Sequence, residues 1–207
     1  MKRVLTGALS ALVFFIAPAL ALADSFEVGN ITDQTLHFSL RCSDGNDSWH
    51  NFTLGSLDNR EYASGDWDYS CDAERYQLRI ETTQSDGSKK YTTVNVLPGS
   101  SYALVNSSTH NGFIAYDTRW MVAMRNQAQY TVHVGYSCNG GASHGEASVA
   151  PGKIGWFYVK GCWSYQVSTS TRSSDGTLTQ WSKDVKANNI YRIVWSSGSG
   201  AYILQKI

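Results

Sequence analysis

The sequence predicts an all-β fold: a tandem duplication of two small β-sandwich-like (or small barrel) domains, each stapled by a disulfide, behind a signal peptide. Three observations predict it. Thr35-Leu36-His37-Phe38-Ser39-Leu40-Arg41-Cys42 returns 96 positions later as Thr131-Val132-His133-Val134-Gly135-Tyr136-Ser137-Cys138. In both copies apolar and polar residues alternate at a period of two, which marks a half-buried strand with its cysteine turned inward. Further short alternating stretches, separated by turn signals such as Asp86-Gly87 and Pro98-Gly99, fill the rest of the chain without a helix-length amphipathic period.

The elements follow in order. Residues 1–23 read as a bacterial-type export signal, with Lys2 and Arg3, an apolar run from Val4 to Leu20, and Ala21-Leu22-Ala23 before Asp24. The mature protein is therefore expected in the periplasm or the medium, where disulfides persist. Repeat 1 spans 24–117, with strands predicted at Phe26 to Asn30, Thr35 to Cys42, Trp49 to Leu54, Tyr76 to Gln84, Lys89 to Val96, Ser101 to Asn106 and Gly112 to Tyr116. Repeat 2 spans 118–207 and keeps the order. The cysteines of repeat 2 are five residues closer together and the strand after them follows two residues sooner, so the register beyond is 89: Tyr76-Gln77 maps to Tyr165-Gln166 and Tyr102, Leu104 and Val105 map to Tyr191, Ile193 and Val194. Two cysteines per repeat make Cys42 with Cys71 and Cys138 with Cys162 the economical pairing. Trp163, Tyr165 and Val167 alternate with Ser164 and Gln166 and read as core.

Function is less legible than fold. Gly141-Ala142-Ser143-His144-Gly145 matches a nucleophile-elbow pattern, but it sits where a hairpin is expected and no histidine follows it. His37 and His133 hold equivalent outward positions and would share a metal or pH-sensitive site only if their sheets met. The four Asn-x-Ser/Thr sequons, at Asn30, Asn46, Asn51 and Asn106, read as chance behind a bacterial signal. Asp66-Trp67-Asp68-Tyr69-Ser70-Cys71-Asp72-Ala73-Glu74 gathers acids and aromatics around a cysteine. It could grip a glycan through Trp67 and Tyr69, hold calcium, or supply acids from Asp66 to Glu74 as the acid and base of a hydrolase; as a calcium loop it lacks the EF-hand glycine and terminal glutamate. Trp156-Phe157-Tyr158 places aromatics on both faces of one strand. Either Trp156 and Tyr158 or Phe157 must then meet a ligand, a partner, or the seam between the repeats.

These residues predict a non-catalytic binding or interaction protein that needs no cofactor and no metal, has no membrane span after the leader, and takes a protein or glycan partner. A carbohydrate-binding module using Trp67, Tyr69 and Trp156 is the main alternative, and an envelope structural protein is another. The near-neutral total gives no nucleic-acid footprint. It conceals an asymmetry, because residues 24–117 carry 14 acids against 6 bases (net −8) and residues 118–207 carry 3 against 9 (net +6). The repeats are therefore expected to dock through opposite charge, in a salt-sensitive way unless the 156–158 triplet adds an apolar seam.

Overall fold

The computed structural model describes residues 25–43, 48–62, 75–138, 141, 143–172 and 177–207. Residues 1–24, which include the expected leader, and the acidic run 63–74 lie outside the described residues. The first half contains β1 (Phe26–Asn30), β2 (Leu36–Cys42), β3 (His50–Leu54), β4 (Asn59–Tyr62), β5 (Tyr76–Thr83), β6 (Lys89–Val96), β7 (Ser101–Ser107) and β8 (Gly112–Asp117). A 3-10 turn at Thr118–Trp120 leads into β9 (Met121–Asn126), β10 (Val132–Cys138), β11 (Ser143–Val149), β12 (Ile154–Tyr158), β13 (Ser164–Arg172), β14 (Leu178–Lys186), β15 (Asn189–Ser196) and β16 (Ala201–Lys206).

Each half is a pair of four-stranded sheets, and the two halves have the same topology. Sheet I runs β4-β1-β7-β8 and sheet II runs β3-β2-β5-β6; sheet III runs β12-β9-β15-β16 and sheet IV runs β11-β10-β13-β14. One pairing in each half is parallel, β1 with β7 and β9 with β15. The other pairings are antiparallel. A β-sandwich follows from burial: Phe26, Val28, Tyr102 and Leu104 of sheet I face Phe38, Leu40, Tyr76, Leu78 and Ile80 of sheet II in one core. Val122, Met124 and Ile193 of sheet III face Val134, Tyr165 and Val167 of sheet IV in a second. The strand that sequence reading missed is β4, whose Asn59-Arg60-Glu61-Tyr62 contributes one buried ring, Tyr62, and so leaves no alternation to detect.

Cys138 and Cys162 are bonded, with Cα atoms 5.8 Å apart. Cys162 lies in the loop entering β13, so the bridge pins that loop to β10. Cys42 is also disulfide-bonded and fully buried, but its expected partner Cys71 lies outside the described residues. Trp163 is a correction to the sequence reading. It stands one residue before β13 begins, where strand alternation has not yet started, and it is 60% exposed.

Two buried asparagines hold corresponding corners. Asn30 ends β1 and Asn126 ends β9, and both are 0% exposed. The Asn30 side-chain amide donates to the carbonyls of Gln34 (2.8 Å) and Gly55 (2.9 Å), while its oxygen accepts from Thr32 N (3.0 Å). The Asn126 amide donates to Tyr130 O (2.7 Å) and Val149 O (2.7 Å), and its oxygen accepts from Ala128 N (2.8 Å). Each asparagine thus satisfies loop backbone that would otherwise be buried without partners. The Asn30 sequon is consequently a structural element; its side chain is not free to carry a glycan.

Asn126→Ala is expected to cost about 2 kcal/mol of unfolding free energy, because it orphans buried carbonyls as well as deleting bonds. Asn30→Ala should cost a similar amount. Denaturant titration of each variant tests this, and a loss near zero would contradict the role assigned to the pair.

Candidate functional site: a cleft where the halves meet

The faces of sheets I and III that point away from their own cores are also apolar. Ile31, Ala103, Val105 and Ile114 from the first half and Met121, Ala123 and Ile190 from the second form a third buried cluster. Tyr116, Ile154, Trp156 and Tyr158 pack against it. Strand parity accounts for the sorting: along β7, Tyr102 and Leu104 fill the first core while Ala103 and Val105 turn to the seam. Along β12, Phe157 is 1% exposed in the second core, whereas Trp156 and Tyr158 face the other way. Gly155, beside them, lets β12 approach sheet IV, because a Cβ there would collide with Val149.

The aromatic triplet is therefore divided. Phe157 stacks on Tyr136 with ring centroids 4.4 Å apart, so its ring is consumed by the core. Tyr158 stacks on Tyr116 at 4.2 Å, and Trp156 lies at 5.3 Å from the same ring. The row continues from Tyr158 to Trp120 (6.4 Å) and on to the exposed Trp163 (6.3 Å). Burial holds the Tyr158 hydroxyl above its ordinary pKa, with Asp117 adding to the effect.

Beside Trp156 the seam opens into a cleft of about 380 Å³. Ile31, Val105, Leu57 and Ile154 supply apolar wall, Asn106 supplies an exposed amide, and the turn at Pro151 and Gly152 closes one side. At its mouth Lys153 forms an ion pair with Asp33 of the other half. The Lys153 ammonium holds the Asp33 carboxyl below the usual carboxylate range, first by its hydrogen bond and then by its charge. An acid that is stabilised as the anion is a hydrogen-bond acceptor and a poor proton donor near neutral pH. A volume of this size, with apolar walls and a few convergent polar groups, suits a small ligand or one unit of a larger one.

Of the residues singled out by sequence, the structure brings Trp156 to this cleft and Tyr158 to the seam. Asp66, Trp67, Asp68 and Tyr69 lie outside the described residues. His37 belongs to sheet II and His133 to sheet IV, and each ring nitrogen bonds a neighbouring hydroxyl, Thr53 Oγ1 at 3.0 Å and Ser148 Oγ at 2.8 Å. Ser143, His144 and Gly145 lie along β11, so the elbow-like motif is a hairpin strand. Ile31, Asn106 and the Asp33–Lys153 pair were missed. The available signal was the unbroken apolar runs Tyr102–Val105, Phe113–Tyr116 and Met121–Met124, which mark strands buried on both faces.

No family model matches the chain, and no curated protein does. Among solved structures it is similar to a 1.5-MDa bacterial ice-binding adhesin at 11% identity, covering 81% of this chain and 64% of that one, with a TM-score of 0.24. It is similar to a calcium-stabilised adhesin with which an Antarctic bacterium binds ice, at 9% identity over 85% of this chain and 51% of that one (TM-score 0.23). A candidate adhesin from Bacteroides ovatus matches at 9% identity over 86% and 91% of the two chains, with a TM-score of 0.25. Likenesses this distant carry no argument about what this chain binds.

The connection between the halves is tied to the second core through Tyr165. Its hydroxyl donates to Trp120 O (2.5 Å) and accepts from Val159 N (2.8 Å), and burial pushes its pKa up to about 12. An acid whose folded pKa lies above its unfolded value of about 10 loses its proton first in the unfolded chain. Stability should therefore be intact below pH 10 and fall between pH 10 and 12, by up to about 3 kcal/mol from this group. Tyr165→Phe should be less stable at neutral pH and show a shallower alkaline decline in pH-dependent unfolding; an unchanged slope would contradict the assignment.

Proposed function

We propose that the protein is an exported, non-catalytic binding protein whose ligand, a sugar unit of a surface or soluble glycan, sits in the cleft against Trp156. The observation that supports this most directly is the composition of the cleft: an indole within an apolar wall, with the Asn106 amide and the paired Asp33 and Lys153 at hand. Aromatic rings take the C–H face of a sugar while amides and charged groups meet its hydroxyls. In this reading the two halves act as one body, held mainly by the apolar seam, because the cleft exists only where both contribute walls. The Asp33–Lys153 contact is open to solvent and screened by salt, so it orients the mouth more than it holds the halves. The opposite net charges of the halves, the attraction expected from sequence, are secondary in this reading to apolar burial along the seam, in which each fully covered Ile, Val or Met contributes about 1.5–3 kcal/mol.

The mature protein should bind at least one member of a panel of neutral oligosaccharides in calorimetric titration without releasing reducing ends from it. Trp156→Ala should weaken that binding by about 30-fold, the scale of a single aromatic anchor, and Asn106→Ala by several-fold, with the thermal transition retained. Turnover lost on Asp66→Ala or Asp68→Ala would instead establish the hydrolase reading. Absence of binding across the panel, or an unchanged affinity in the Trp156 variant, would overturn the cleft assignment.

A further inference from the structure

The outward face of sheet II carries a cluster that the cleft does not use. The Arg79 guanidinium lies 4.1 Å from the Trp49 ring centroid and 4.8 Å from that of Tyr91. Arg41 lies 4.4 Å from the same Trp49 ring. Two cations are thus concentrated about one indole on neighbouring strands, since Ser39 of β2 pairs with Arg79 of β5 and Arg41 with Gln77. Arg41 Nε donates to Gln77 Oε1 at 2.8 Å, while Arg79 Nε is buried without a hydrogen-bond partner. Among the described residues neither guanidinium is ion-paired. The nearby carboxylate on the face, Glu81, is engaged by Lys89 at 3.0 Å and accepts from the Tyr91 hydroxyl at 3.3 Å.

The duplication supplies an internal comparison. Residues that hold the fold recur in the second half: Asn30 as Asn126, Tyr76 as Tyr165, Tyr102 as Tyr191, and the His37–Thr53 pair as His133–Ser148. The cluster does not recur. Arg41 corresponds to Ser137, Arg79 to Ser168, Tyr91 to Gln180 and Trp49 to His144, the residue opposite Ser137. Sheet IV stands on the same topology without any of the four, so the fold does not require them. Two like charges share one ring with no carboxylate paired to either among the described residues, and a bound anion would offset their repulsion.

We propose that the outward face of β2, β3, β5 and β6 is a second binding surface, for an anionic polysaccharide whose carboxylate or sulfate groups are taken by Arg41 and Arg79. Stacking on rings occupies the flat faces of the guanidiniums and leaves their N–H edges to grip an oxyanion. Tyr91, 46% exposed, offers its ring to the sugar next to the anionic group. Ser39 Oγ donates to Asn51 Oδ1 at 2.7 Å, so the neighbouring hydroxyls and amides are already ordered. A glycan fits better than an acidic peptide because main-chain groups in mid-sheet are spent in the strand ladders, and a peptide's backbone pairing is available only at an edge.

The test uses the full mature protein with dextran sulfate and polygalacturonate as probes, neutral dextran as the uncharged control and polyglutamate as the peptide control. Both polyanionic glycans should bind at low salt and more weakly at physiological salt, and neutral dextran should show no binding that depends on Arg41 or Arg79. Arg41→Gln with Arg79→Gln should lose at least about 30-fold of that affinity, the scale of two charge-assisted bonds. Arg41→Lys with Arg79→Lys should recover only part of it, since an ammonium lacks the planar fork. Tyr91→Ala should weaken glycan binding, and Trp156→Ala should leave it unchanged, which separates this surface from the cleft. Wild-type affinity in the glutamine pair, no binding of either polyanion, or polyglutamate binding as tight as the glycans and indifferent to Tyr91→Ala would overturn the proposal.

Discussion

Sheets I and III are apolar on both faces, and a sheet of that kind must be covered on both sides. The inner faces are covered by sheets II and IV of the same halves. The opposite faces carry Ala103, Val105, Ile114, Met121, Ala123 and Ile190, all 9% exposed or less, and burial on that scale needs a partner layer. The halves are connected by a single 3-10 turn from Thr118 to Trp120, capped by Asp117, whose carboxylate accepts from Arg119 N at 2.9 Å and pairs with the Arg119 side chain. The Trp120 carbonyl is held in turn by Tyr165. Cleft and aromatic row follow from this arrangement, since Trp156, Tyr158 and Tyr116 reach one another only along the covered faces.

Duplication has divided the side chains into two groups. Those retained in both halves solve problems common to any copy of the fold: a buried asparagine bracing a corner, and a tyrosine hydroxyl bonded to a backbone amide five residues earlier, as Tyr102 accepts from Leu97 N at 2.9 Å and Tyr191 from Lys186 N at 3.1 Å. Those that differ include core positions where one apolar residue stands in for another, as Val134 for Phe38 and Val167 for Leu78, and the outward faces of sheets II and IV. Sheet II presents arginines and aromatics where sheet IV presents serines and glutamine, and the halves carry net charges of opposite sign. Divergence of this kind on an outward face is what separate binding tasks would leave behind, because side chains outside the core change at little cost to stability.

Much of the fold could be read directly. A period of two in Leu36–Cys42, repeated in Val132–Cys138, required half-buried strands, and the pairing of Cys138 with Cys162 pins a loop to the second of them. β4 escaped because one buried tyrosine is too little pattern, and Trp163 was misplaced because alternation was extended across the disulfide loop into residues not yet in the strand. The site was less accessible. Trp156 and Tyr158 could be assigned to a face by parity, but pairing Asp33 with Lys153, 120 positions away, depends on how two sheets lie against each other. Likewise Trp49, Arg41, Arg79 and Tyr91 come together only through strand order. Nothing local in the sequence marks Arg41 and Arg79 as neighbours.

Small-angle scattering of the mature protein across a salt series bears most directly on the claim that an apolar seam joins the halves into one body and so creates the cleft. A compact particle whose radius of gyration and maximum dimension stay constant from low to high salt is the expected result, since apolar burial persists when charges are screened. An extended two-lobed shape at every salt concentration, or a compact shape that opens as salt rises, would contradict it.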